Sequence, residues 1–175
     1  MSDMPTSAPR EPRALRWLWI TALVIVLDQL SKAWVLSAIR PGEQIPVISG
    51  FWYWTLAFNR GAAFSLLADG SGWQRWFFIV LAVVMTALLS MWILRRTQQG
   101  LHGGALGLVL GGALGNGIDR IVRGHVVDFI DFYVGNWHWP AFNIADSAIV
   151  VGVGLLLWRG LDAAPRVTSA KGSRP

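Results

Sequence analysis

The chain has 175 residues and no Cys; 54% are hydrophobic, only 14% are charged, and 15 Lys and Arg against 10 Asp and Glu give a formal net charge of +5. A soluble domain carries about 25% charged residues, so an ordinary soluble globule is excluded, as is a disordered chain, which needs low hydrophobicity. The bases are too scattered for a nucleic-acid groove, and without Cys there are no disulfides, thiolate metal sites or Cys nucleophile.

In chain order, residues 1–12 are rich in Pro, Ser and Arg and read as a disordered tail. Residues 13–162 then read as one membrane domain with no separate soluble unit. Trp17–Leu36 has the ~20 mostly apolar residues that a bilayer-crossing helix requires, interrupted by Asp28 and Lys32. That stretch is too long for the apolar part of a cleaved leader, so it is expected to stay as a helix. An outer β segment follows at about 40–65. Its Gln44–Phe64 stretch is rich in Ile, Val, Thr and aromatic residues, which favour strand, and Pro41-Gly42, Ser49-Gly50 and Asn59-Arg60-Gly61 mark turns. It predicts a small antiparallel sheet on the outer surface, with Asp69-Gly70-Ser71-Gly72 as a loop beyond it.

Trp76–Leu94 is a second span without any charge, Leu101–Ile118 a third, and Ala141–Trp158 a fourth with Asp146 near its start. Gly103, Gly107, Gly111 and Gly115 lie four apart on the third span and form a stripe on which another helix, of this chain or a second copy, can pack closely. Residues 163–175 form a second polar tail. Three odd-numbered gaps, at the N-terminus, after the second span and after the fourth, hold nine of the fifteen Lys and Arg. The positive-inside rule then places both termini in the cytoplasm and residues 37–75 and 119–140 outside. Trp17, Trp19, Trp92 and Trp158 fall at inner span ends, and Trp34, Trp73, Trp76, Trp137 and Trp139 at outer ends, as interfacial aromatic belts do. The fold expected is a mainly α membrane protein, four transmembrane helices with an outward-facing β-sheet cradle.

The acids carry the chemistry. Asp3, Glu11, Glu43, Asp69 and Asp162 lie in tails, loops or at a span end. Asp28, Asp119, Asp128, Asp131 and Asp146 map to membrane depth or its interface, where an ionisable group is costly and becomes a functional candidate. Asp128 has apolar neighbours in Gly124-His125-Val126-Val127-Asp128-Phe129-Ile130. With Asn143 as N-cap, Asp146 falls in the first turn of the fourth helix. Two carboxylates brought together there would share one proton, a state suited to amide hydrolysis: one takes a proton from water while the other hydrogen-bonds the carbonyl. The helix dipole favours the charge on Asp146 and the proton on Asp128. Two separately buried acids fit the same residues.

Other constellations are weaker. No His lies in an H-E-x-x-H pattern. His125, Asp128 and Asp131 make a cation site only by composition. Ser31-Lys32 suggests a Ser/Lys hydrolase, but Asp28 one turn before Lys32 gives the lysine a simpler partner. Asp119 is expected to pair with Arg120 beside it, and Asp131 has no evident role. A proton relay through Asp28 and Asp146 in a small transporter, and a structural partner protein built on the glycine stripe, are the competing readings.

Four blocks in order then carry a resemblance: Leu27-Asp28-Gln29-Leu30-Ser31-Lys32, Asn59-Arg60-Gly61-Ala62-Ala63-Phe64-Ser65, Gly115-Asn116-Gly117-Ile118-Asp119-Arg120 with Gly124-His125-Val126-Val127-Asp128-Phe129, and Pro140-Ala141-Phe142-Asn143-Ile144-Ala145-Asp146-Ser147. Over about residues 15–160 the chain resembles lipoprotein signal peptidase (signal peptidase II), the bacterial inner-membrane aspartyl peptidase family. The resemblance implies that Asp128 and Asp146 are the catalytic pair and that Asp28, Lys32, Asn59, Asn116, Arg120 and Asn143 support or line the site. It implies no metal or other cofactor. It also implies diacylglyceryl-prolipoprotein substrates cut just before the lipidated Cys, contact with membrane lipids and a monomeric enzyme. Arg60 stands where the family often has a small polar residue.

Overall fold

The computed structural model describes residues 15–61, 72–95 and 100–162. Both predicted tails, the Ala62–Ser65 part of the second block, Asp69 and Arg96 lie outside the described residues. Four helices form where the apolar stretches predict them: α1 (Leu15–Ala38), α2 (Trp73–Arg95), α3 (Leu101–Val122) and α4 (Ile144–Asp162). Three segments, Arg16–Ala38, Trp73–Leu94 and Leu101–Val122, are long and apolar enough to cross a membrane by length and composition. Much of their apolar surface faces outward. On α2, Trp76, Val80 and Val83 are exposed, as lipid-facing side chains are.

Helix α3 is the hub and packs against α1, α2 and α4. The glycine stripe explains the closeness and settles its use: it serves contacts within the chain. A methyl added at Gly107 would lie 2.7 Å from the Trp17 carbonyl, and one at Gly111 would lie 2.7 Å from Val24 Cβ. Thr21 of α1 donates its hydroxyl to the Gly107 carbonyl at 3.0 Å, a contact that only close helices allow. Gly112, off the stripe, meets the Ala145 backbone of α4.

Four antiparallel strands in the order β1-β2-β3-β4 form the sheet: β1 (Gln44–Ile48), β2 (Trp52–Asn59), β3 (Val126–Val134) and β4 (Trp137–His138). The predicted outer β segment holds only the first two. Its main partner, β3, comes from the 119–140 stretch, where no strand was expected. The reason is burial: Val126, Val127, Asp128 and Phe129 are all buried, so β3 lacks the alternation that marks a one-sided strand. Val127 and Phe129 pack with Leu56 of β2 against Val35 and Ile39 at the end of α1. Fully burying such side chains is worth roughly 2 kcal/mol each, and it fixes the sheet on the helix end.

Two boundaries differ from the prediction. The third span runs one turn further, through Asp119 and Arg120, and the turn into β3 closes at Gly124 with φ 81°. Ala141–Asn143 is not helical. Phe142 exchanges backbone hydrogen bonds with Ile130 (3.0 and 2.9 Å), clamping the start of α4 to β3.

Candidate active site

That clamp sets the site. Asn143 follows Phe142 and caps α4: its side-chain oxygen accepts the Asp146 N–H at 2.9 Å, and an Asp146 oxygen accepts the Asn143 N–H at 3.3 Å. This reciprocal capping box holds Asp146 in the first helical turn, as its spacing predicts. The other end of the same amide reaches β3. Asn143 Nδ2 donates to Asp128 Oδ1 at 2.6 Å. One buried asparagine therefore touches both carboxyl groups.

Two more amides complete the ring. Asn59 Nδ2, at the end of β2, donates to Asp128 Oδ2 at 3.1 Å. Asn116 Nδ2, on α3, donates to Asp146 Oδ1 at 2.7 Å. Asn116 Oδ1 accepts from Lys32 Nζ at 3.1 Å and from Asn143 Nδ2 at 3.3 Å. Asp128 is buried, and its carboxyl is raised to about 7, by burial first and by the nearby Asp146 second. The Asn59 and Asn143 donors and the more distant Lys32 oppose that rise.

Behind the asparagines lies a fully buried ionic cluster. Lys32 Nζ sits 2.8 Å from Asp28 Oδ2 and 2.8 Å from Asp119 Oδ2. Asp28 Oδ1 accepts the Ala145 N–H of α4 at 2.9 Å, and Asp119 Oδ2 accepts the Val127 N–H of β3 at 3.1 Å. Arg123, one turn on, pairs with Asp119, and Gln29 Nε2 lies near both acids (3.1 and 3.2 Å). Two carboxylates and two cations balance in charge. Their bonds between elements tie α1, α3, the start of α4 and β3 together.

The predicted residues thus come together. Asp128, Asp146, Asn59, Asn116, Asn143 and Lys32 share one hydrogen-bonded chain, with Asp28 one step behind. Arg120 joins it at the edge, donating to the Asn116 carbonyl (3.3 Å) and the Gly61 carbonyl (3.0 Å). The expected Asp119–Arg120 pair is corrected: i,i+1 residues point apart on a helix, and the partner is Arg123 at i+4. That spacing was the available signal for Asp119, and its salt bridge to Lys32 was not readable from sequence. The cation trio is not assembled. His125 packs tilted against Phe58 (4.5 Å between ring centres), and Asp131 pairs with His138 Nδ1 at 2.8 Å and accepts from Gln44 at 3.3 Å. The Ser/Lys pair fails too, because Ser31 donates to the Asp28 carbonyl and Lys32 is held as a cation between two carboxylates.

The arrangement therefore offers two carboxyl groups in a frame of neutral amides, with the nearest lysine already neutralised behind them. The sequence model of the family described as Signal peptidase (SPase) II matches residues 20–161. The chain is 53% identical over 161 residues to the lipoprotein signal peptidase of Xanthomonas oryzae pv. oryzae (strain PXO99A), covering 90% of this chain and 96% of that one. It is 51% identical over 153 residues to that of Xylella fastidiosa (strain M12), covering 85% and 91%. A bacterial membrane enzyme solved by the in meso method at 2.3 Å superposes with a TM-score of 0.77 at 32% identity, covering 91% of this chain and 93% of that one. A second such structure, at 1.9 Å, gives 0.73 at the same identity, covering 85% and 94%. A polar frame at one end of apolar helices, a sequence matched from α1 to α4 and a shared fold lead to one assignment: the chain belongs to the signal peptidase II family.

Proposed function

We propose that the protein is an aspartyl endopeptidase of the bacterial inner membrane that removes signal peptides from diacylglyceryl-modified prolipoproteins just before the lipidated Cys. The observation that carries the mechanism is Asn143, which hydrogen-bonds Asp128 and Asp146 at once while no cation among the described residues pairs with either.

Asp146 holds the charge, in the first turn of α4 where the helix dipole favours an anion. Asp128 holds the proton, since burial and the Asp146 charge raise its carboxyl to about 7. Asp146 takes a proton from water as the water oxygen bonds to the scissile carbonyl carbon. Asp128 gives its proton to the carbonyl oxygen. The tetrahedral diol then collapses: Asp146 gives its proton to the leaving nitrogen, the C–N bond breaks, and one diol hydroxyl returns its proton to Asp128 as the new carboxyl group forms. Asn59, Asn116 and Asn143 hold the carboxyls, and Arg120 is placed to bind a substrate carbonyl or phosphate oxygen. Asp28 and Lys32 act as anchors behind them.

The reading takes α4 as a fourth crossing, both termini as cytoplasmic and the site as facing the outer leaflet. Trp52 and Trp54 lie opposite Phe132 and Ile130 in the register, on the face of β3 that carries Asp128. Together with Trp34 of α1 (5.7 Å from Trp54) they form an aromatic wall suited to lipid chains arriving sideways from the bilayer. One protomer supplies every group named, so the active unit is a monomer. The test is direct: the purified protein is incubated with a diacylglyceryl-modified prolipoprotein and released signal peptide is sought. Release is expected from the parent and from neither Asp128→Asn nor Asp146→Asn, with all three proteins folded. Cleavage by either variant would refute the assignment.

A further inference from the structure

Among the described residues, Arg120 is the one cation that borders the amide frame without a carboxylate of its own in hydrogen-bond contact. Its guanidinium spans a gap, with one nitrogen to the Asn116 carbonyl and another to the Gly61 carbonyl. Its Nε is buried and meets no hydrogen-bond partner among the described residues. Two carbonyl bonds, one of them 3.3 Å long, hold a five-donor fork weakly. The rest of its support comes from α2. The Arg120 guanidinium carbon lies 4.6 Å from the centre of the Phe78 ring, within cation–π range. One turn earlier, Arg75 donates to the Arg120 carbonyl and the Ile121 carbonyl, both at 2.9 Å, satisfying the open end of α3. One turn later, Ala82 meets Gly117, where an added methyl would lie 3.2 Å from its Cβ. Arg75, Phe78 and Ala82 are spaced i, i+3, i+7, a single stripe of α2.

We infer that Phe78 is a positioning residue for Arg120, holding the guanidinium plane toward the substrate side of the site while Arg75 fixes the same residue's main chain. This rests on the role proposed above for Arg120. A helix that otherwise faces lipid then reaches the reaction through one aromatic ring. An aromatic face and a planar cation are both needed, so the contact discriminates between side chains of similar size.

The experiment measures kcat and KM on a diacylglyceryl-modified prolipoprotein in detergent micelles, with thermal unfolding as the control for folding. Phe78→Leu keeps apolar volume and removes the π face; Phe78→Tyr keeps the face. Phe78→Leu is expected to raise KM about 10-fold, the size of one desolvated cation–π contact, with the pH profile unchanged. Phe78→Tyr should stay within about twofold of the parent. In an Arg120→Lys background, whose compact ammonium cannot stack as a plane, Phe78→Leu should add less than about twofold. Equal losses for Leu and Tyr, or the same full factor in both backgrounds, would overturn the inference and leave Phe78 as packing alone. If Arg120→Lys turns over like the parent, the role of Arg120 falls instead. If Arg120→Lys is slowed and Phe78→Leu multiplies that loss in full, the role of Arg120 stands and that of Phe78 falls.

Discussion

The protein holds two pairs of acids in one polar cluster, all buried but the half-buried Asp146, and it treats them oppositely. Asp28 and Asp119 share Lys32 at 2.8 Å each, and Asp119 has Arg123 as well. Among the described residues, Asp128 and Asp146 receive only asparagine amides and a backbone N–H. Asp28 and Asp119 are committed by Lys32 to ion pairs that tie helices together. Asp128 meets only neutral donors among the described residues; burial first and Asp146 second raise it to about 7, and its Asn59 and Asn143 donors only partly offset that rise. Within one polar cluster, the choice of Lys or Asn as partner separates acids that fasten from acids that can react.

The contrast can be broken by exchanging the partners' roles. Asp128→Asn or Asp146→Asn is expected to lower kcat/KM by ~10³-fold or more, the upper range for a lost acid–base group, with the unfolding temperature in detergent nearly unchanged. Lys32→Met should do the reverse. It strands Asp28 and Asp119 with Arg123 as their one remaining cation, and breaking such a buried pair costs ~3–5 kcal/mol. A large drop in unfolding temperature is expected, partly restored by adding Asp28→Asn. A Lys32→Met protein as stable as the parent would erase the distinction.

A finer test uses pH. The proposed mechanism needs the proton on the pair, so kcat/KM falls as pH rises through the pair's upper ionisation. Asn59 favours the charged form of Asp128, so Asn59→Ala should move that falling limb to higher pH. Movement to lower pH would contradict the hydrogen bond's direction. The smallest effect is expected at the far side of the sheet. Asp131→Asn breaks a half-exposed His138 pair worth at most ~1 kcal/mol and should leave turnover unchanged in the same assay.

Much of this was legible in the sequence. Apolar stretches of the right length gave α1 to α4 within a few residues, and the Asn143–Asp146 spacing announced the cap that holds one carboxyl. Costly acids in apolar surroundings pointed to Asp128 and Asp146 before any resemblance was invoked. What escaped was long-range. β3 is buried on both faces and so carries no alternation, and its pairing with β2 spans about seventy residues. The salt bridge between Lys32 and Asp119 joins two helices whose approach no local pattern encodes. Asp131, without an evident role in the sequence, has one in the structure: its partners, His138 and Gln44, lie on the two outer strands.

The glycines of α3 have a bearing on tolerance. A methyl at Gly115 would lie 2.7 Å from Asp28 Oδ2 and 3.2 Å from Ala145 Cβ, and one at Gly112 would collide with the Ala145 carbonyl. The start of α4 therefore rests against main chain, a hard stop that has no rotamers and no volume to vary. Side chains on the lipid-facing surface can then exchange, as bilayers of different composition demand, without moving Asp146 against Asn116. The bundle works like a jig: its outer dimensions drift freely while one reference edge stays machined.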